Sequence, residues 1–221
     1  MISKVLTKML EIQNRLEIKQ NLLSEIEQLK SQLETLIDYP ITDLEIQPQK
    51  VQFIETLTLA LEKLNPFPRP LLYGSSLLDG AWLLQYSTAL EIRSLKRLPL
   101  GFLVGKIYQV IDLNTASFEN QAWVQHSSGL LSGYVRVTAT FEPAKQGADQ
   151  LPNQKINIDF KKRFLGINQI LGIKTNLLDP IRIVEARNPK GRIPSLNITY
   201  IDETMRVGRG GDGSLFILTR V

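Results

Sequence analysis

The chain has 221 residues, 43% of them hydrophobic and 22% charged, a globular balance that excludes a disordered polypeptide. It contains no cysteine and a single histidine, which removes disulfides, thiol catalysis, thiolate metal centres and histidine-rich metal sites. The net charge of +4 is unevenly spread: residues 1–70 hold 8 Lys and Arg against 10 Asp and Glu, residues 71–221 hold 18 against 12, so the second part attracts anionic partners.

The first ten residues lack an unbroken apolar core and a small-residue cleavage site, which predicts neither a secretory signal nor a transit peptide. No apolar run approaches the ~20 residues of a spanning helix, so any membrane role is expected to be peripheral. From Val5 the positions Val5, Met9, Ile12, Leu16, Leu23, Ile26, Leu33 and Ile37 keep three-and-four spacing and predict a long amphipathic helix, or two in series, ending before Pro40. Lys19 and Lys30 interrupt its apolar seam, which favours an annex helix laid on the main domain over a strict coiled coil. A second helix is predicted over residues 49–64, with Phe53, Leu57, Ala60, Leu61 and Leu64 as its stripe and Asn65-Pro66 as its stop. Pro66, Pro68 and Pro70 form a stiff link, so the expected division is a helical extension at 1–66 and a strand-rich domain at 71–221.

Beyond Leu71 short β-prone runs alternate with turns. Strands are expected at 81–89, 106–112, 118–125, 134–142, 155–163, 181–185, 195–201, 204–208 and 214–220. Many short strands without intervening helices point to an antiparallel barrel or a sandwich. Val135, Val137, Ala139 and Phe141 alternate with Arg136, Thr138 and Thr140, and Ile156, Ile158 and Phe160 alternate with Asn157, Asp159 and Lys161, which is the period of strands.

Two basic-apolar junctions stand out. Residues 95–104 combine Lys96 and Arg97 with Phe102 and Leu103 around Pro99 and Gly101, a loop that either covers a barrel end or meets a membrane. Lys161, Lys162 and Arg163 run into Phe164, a pairing suited to a solvated strand end or to an anionic lipid surface. No reading element for nucleic acid accompanies the charge. His126 sits before Ser127, Ser128 and Gly129 and reads as a structural turn residue. The glycines of residues 208–213 lack the Lys-Ser/Thr pair of a phosphate loop and read as a hairpin turn.

The ordered segments Leu77-Leu-Asp-Gly-Ala-Trp-Leu-Leu-Gln-Tyr86, Gly105-Lys-Ile-Tyr-Gln-Val-Ile-Asp112, Thr199-Tyr-Ile-Asp-Glu-Thr-Met-Arg-Val-Gly-Arg-Gly210 and Gly213-Ser-Leu-Phe-Ile-Leu218 together resemble the plastid lipid-associated protein and fibrillin family, whose members also occur in cyanobacteria. The resemblance covers roughly 160 residues. It implies a mainly β, lipocalin-like antiparallel β-barrel preceded by N-terminal amphipathic α-helices. It also implies a non-catalytic, photoprotective association with a lipid, carotenoid or prenylquinone at the thylakoid surface, from the cytoplasmic side or the cytoplasm. It carries no catalytic residue set, cofactor or metal; the alternative is a scaffold that holds a thylakoid protein through the N-terminal helix and the barrel surface, with Leu22, Ile26 and Leu29 as the helix contacts.

Gly80-Ala-Trp82 is similar to the start of the first lipocalin strand, where a late arginine lies over the tryptophan. The resemblance therefore makes Arg206 and Arg209 candidates first for that clasp or for an internal salt bridge such as one to Asp202, and second for holding an anionic lipid head. Their odd offset puts them on opposite faces of a continuous strand. Tyr86, Tyr108, Tyr134 and Tyr200, with Trp82, are further ligand candidates. Gly80, Trp82 and the turn residue Asp202 are expected to be structural.

Overall fold

The computed structural model describes residues 2–33, 39–95, 98–145, 151–186, 188 and 191–221. A long helix α1 (Ile2–Gln32) leads to a short strand β1 (Ile41–Thr42), helix α2 (Pro48–Lys63) and a single turn α3 (Pro70–Tyr73). The remaining elements are β2 (Gly80–Ser87), α4 (Leu90–Leu95), β3 (Phe102–Asp112), β4 (Ser117–His126), β5 (Leu131–Lys145), β6 (Pro152–Ile170), β7 (Ile173–Glu185), β8 (Ser195–Ile201), β9 (Met205–Gly210) and β10 (Leu215–Arg220). Each expected strand is present.

Strands β2, β3, β4, β5, β6, β8, β9 and β10 pair antiparallel in that order, and β10 returns to β2. This closes an eight-stranded up-and-down barrel. The inward row is read from the alternation: Val104, Ile107, Ile111, Phe118, Ala122 and Val124 join Trp82 and Leu84 in one buried cluster. Ile92, Leu95, Leu98 and Phe102 pack against that cluster.

Strand β6 is longer than its sequence pattern suggested and changes partner along its length. Residues 155–157 pair with β8, whereas residues 162–170 pair with β7. The β6–β7 hairpin turns through Leu171 and Gly172, both with positive φ, and lies off the closed path as a wing. Polar Asn168, Gln169, Lys174 and Asn176 interrupt the apolar alternation here, which is why the pattern stopped short at both strands.

The short β6–β8 seam leaves part of β8 unpaired, and Asn65 fills the gap. Its Nδ2 donates to the Thr199 carbonyl at 2.9 Å, and its Oδ1 accepts from the Ile201 N–H at 3.3 Å. One side-chain amide thus supplies what a neighbouring strand would. Arg69 donates to the Pro152 carbonyl across the same region at 3.2 Å.

Helices α1 and α2 lie on the outer face of β2, β8, β9 and β10. Leu22, Ile26 and Leu29 of α1 and Ile54 and Leu61 of α2 form a second cluster with Tyr86, Tyr200, Met205, Val207 and Ile217. The buried stripe of α2 is rotated from the predicted one: Ile54 and Thr58 are buried and Phe53 is 45% exposed. Thr58 tolerates burial because its hydroxyl donates to the Ile54 carbonyl at 2.7 Å.

The lysines that interrupt the α1 seam are its anchors. Lys30 Nζ donates to Gln85 Oε1 on β2 at 2.5 Å, and Lys19 Nζ meets Asp202 Oδ2 at 2.6 Å. Asp202 also takes the Thr204 and Met205 N–H groups at 2.9 and 2.8 Å, the turn role expected of it. Burial, the largest influence, acts to raise its carboxyl, but the bonds from Lys19, Tyr200 and Thr204 together hold it below the ordinary value. The stabilisation is therefore present above the unfolded pKa near ~3.9 and is lost as pH falls through the lower folded value. Amides of α1 are expected to exchange faster than those of the barrel once the pH drops below about 4; Lys19→Met should produce the same loosening at neutral pH, about 1–3 kcal/mol. Unchanged α1 protection in both tests would remove the anchor.

Candidate functional site

The interior of the barrel is built around Trp82. Gly80 has φ +101, a conformation that sets the chain into β2 and favours glycine. Two residues later the fully buried indole donates its Nε1–H to the Leu78 carbonyl at 2.9 Å. Two guanidinium groups flank the ring: Arg206 at 5.0 Å and Arg220 at 4.9 Å from the centroid.

These two arginines do different things. Arg220 ends β10 and donates to the Leu77 and Asp79 carbonyls, both at 2.7 Å, so it latches the segment before β2 over the tryptophan. The clasp expected of Arg206 or Arg209 thus has Arg220 as its backbone-bonded member. Nothing local in the sequence marks this residue, which looks like an ordinary charged strand end.

Arg206 points inward and is 2% exposed. Its Nη2 donates to Gln109 Oε1 on β3, and Gln109 Nε2 donates to Asn120 Oδ1 on β4 at 2.9 Å. Its Nε has no hydrogen-bond partner, and among the described residues no carboxylate pairs with it. Burial, and then the positive Arg220, push its pKa down to about 9. Beside it lies a cavity of about 10 Å³ lined by Gln109, Phe118, Phe141, Ile156 and Leu196 among others. That volume is at the lower limit for one water, so the space beside Arg206 has room for little more than that.

Arg209 points outward, as the odd offset requires. Its Nε donates to Glu62 Oε1 at 2.7 Å and its Nη2 to Glu55 Oε1 at 2.8 Å. Burial alone would lower its pKa, but the hydrogen bonds and charges of Glu62 and Glu55 raise it. This residue ties β9 to α2 and faces no interior ligand.

The four tyrosine candidates are not brought together in the barrel. Tyr86 and Tyr200 belong to the helix-packed cluster on the outside; Tyr200 donates to Asp202 Oδ2 at 2.5 Å, while the Tyr86 hydroxyl is buried without a partner. Burial raises both hydroxyl pKa values. Tyr108 alternates with the inward Ile107 and Gln109, and Tyr134 with the inward Val135, so both face out. The Tyr134 hydroxyl bonds Asp179 on the wing. The interior polar group missed in the sequence is Gln109–Asn120, register partners on β3 and β4.

Of the membrane-contact candidates, Lys96 and Arg97 lie outside the described residues. Phe102 is partly buried against the barrel core and meets the His126 ring edge-on at 5.4 Å; Leu103 is 39% exposed. His126 itself accepts the Ser128 N–H within its turn. Lys161 is paired with Asp159, Lys162 and Arg163 are exposed, and Phe164 carries the Arg136 guanidinium 4.6 Å over its ring. Among the described residues no group of three or more metal-ligating side chains occurs, and no helix is long and apolar enough to cross a membrane.

The chain is similar to a chromoplast-specific carotenoid-associated protein of Cucumis sativus, 29% identical over 77% of this chain and 60% of that protein. A light-induced chloroplast protein of Solanum tuberosum is 28% identical over 89% of this chain and 68% of its own length. Plastid-lipid-associated protein 6 of Arabidopsis thaliana is 32% identical over 62% and 51%. The chain thus spans between about half and two thirds of the length of these relatives. A crystal structure of bovine odorant-binding protein is 14% identical, covers 66% of this chain and 72% of its own, and has a TM-score of 0.30, a likeness too loose to carry an argument. The PAP/fibrillin family model matches residues 27–219, from the second half of α1 through nearly all of β10, and the chain belongs to that family.

Proposed function

We propose that this protein works without catalysis at the photosynthetic membrane, where it binds or shields an apolar lipid, carotenoid or prenylquinone from the cytoplasmic side of the thylakoid or from the cytoplasm. The wing carries this reading. Leu177 is 91% exposed, Ile173 72% and Leu171 66%, on a two-stranded projection whose residues 159–185 hold five cations against three carboxylates. Exposed apolar side chains on that scale mark an interaction surface, and flanking cations add attraction to anionic headgroups. The relatives named for carotenoid and plastid-lipid association support the same direction.

The space beside Arg206 is only about 10 Å³, so an apolar cargo enters there only when the side chains around it give way. Its first contact is with the outer surface. The full-length chain is expected to float with vesicles of phosphatidylglycerol and phosphatidylcholine, and to retain stoichiometric apolar lipid when isolated natively and analysed by mass spectrometry. Protein that stays with the aqueous fraction and carries no lipid would overturn the reading. The scaffold alternative has one observation in its favour, the exposure of Leu6, Met9, Leu10 and Leu16 on α1. Leu22, Ile26 and Leu29 are buried against the barrel, so its test moves to Leu6 and Met9.

A further inference from the structure

Arg206 is an anomaly that the architecture of the barrel does not explain. A buried charge is normally paired, because leaving water without a counter-ion is costly. Here the guanidinium is enclosed by apolar strands, keeps one side-chain acceptor in Gln109 and leaves its Nε unbonded. The tryptophan face offers partial compensation. The latch over that tryptophan is already supplied by Arg220, which bonds two backbone carbonyls. An apolar side chain at position 206 would fill the same place at no electrostatic cost.

We infer that Arg206, oriented by Gln109, is the head-group site of the barrel and takes the carboxylate of a single-chain fatty acid. This rests on the reading of the chain as a lipid-binding protein and narrows it. An unpaired cation in a medium of low dielectric favours an anion over a neutral carbonyl or hydroxyl, and the guanidinium fork matches a carboxylate. The cavity beside it holds about 10 Å³, room for a single head-group oxygen against the guanidinium before any side chain moves.

The path of the hydrocarbon tail follows from the same wall. Phe118 and Phe141 line the cavity, and Phe118, Phe141 and Phe160 sit 6.3 and 6.4 Å apart in a loose trio. Phe141 and Phe160 are only partly buried. Ile156 and Leu196, also in the wall, are register partners in the short β6–β8 seam. A tail that turns these rings aside leaves the barrel where its ladder is weakest.

The test is a fluorescence titration of the full-length protein with cis-parinaric acid and with its methyl ester, which share the tail and differ in charge. The acid is expected to saturate one site and to bind at least about tenfold more tightly than the ester. Arg206→Met should abolish that preference, and Arg209→Met, on the outer face, should keep it. Equal affinities in the native protein, no saturable uptake of the acid, or an undiminished preference in Arg206→Met would each overturn the inference. If Arg206→Met does not fold, the acid-to-ester ratio of the native protein and its loss in Gln109→Leu decide. Vesicle flotation separates the two levels: a protein that floats but ignores the acid retains the surface reading and loses this one, whereas one that takes the acid but does not float loses the surface reading alone.

Discussion

Trp82→Ala is expected to lose about 3–5 kcal/mol, the usual cost of truncating a buried aromatic side chain. The indole has no exposed surface, so its removal leaves a void beside the two arginines. Both guanidinium groups lose the ring they share, and Arg206 is left with Gln109 alone. For a domain whose total stability is about 5–15 kcal/mol, the midpoint of thermal unfolding should fall by roughly 6–20 °C. Far-ultraviolet circular dichroism with urea and heat is the appropriate measurement, since removing one of two tryptophans changes the fluorescence by itself. A loss below about 1 kcal/mol would mean that the closed end is held by Arg220 and the neighbouring turns rather than by the ring.

The tryptophan was legible through the resemblance of Gly80-Ala-Trp82 to the start of a lipocalin barrel strand. The arginines were legible only in part. Parity placed Arg206 and Arg209 on opposite faces, which the strand β9 obeys, but parity does not say which face is inside. That was decided by Glu55 and Glu62, residues on α2 that draw Arg209 outward and are distant in sequence. The tyrosines show the same limit: alternation identified their strands and left their side open, and all four face away from the interior. Lys19 and Lys30 read as flaws in a hydrophobic seam because their partners, Asp202 and Gln85, lie far along the chain. The wing was the least legible element. Its strands mix leucine and isoleucine with amide and charged residues on both faces, a pattern that has no single-sided core to report.

Replacing Lys162, Arg163 and Lys174 together with alanine should weaken partition into anionic vesicles by about 100-fold, from roughly 1 kcal/mol for each cation near a charged membrane surface. Native binding should decline in parallel as ionic strength rises towards about 0.5 M, because exposed charges are screened over a few ångströms there. Leu177→Asp tests the apolar half of the same surface and should weaken binding even at low salt, since it removes an inserting side chain and adds repulsion. All four positions are exposed, so each change is expected to alter stability by no more than about 0.5 kcal/mol, and loss of binding is not loss of fold. The two halves make separable demands: a purely electrostatic surface would tolerate Leu177→Asp once the net charge is restored elsewhere, and a purely apolar one would ignore salt. Sensitivity to both is what a wing that meets headgroups with its cations and acyl chains with its leucines requires; a triple variant that floats as well as the native protein would place the membrane contact on another face of the molecule.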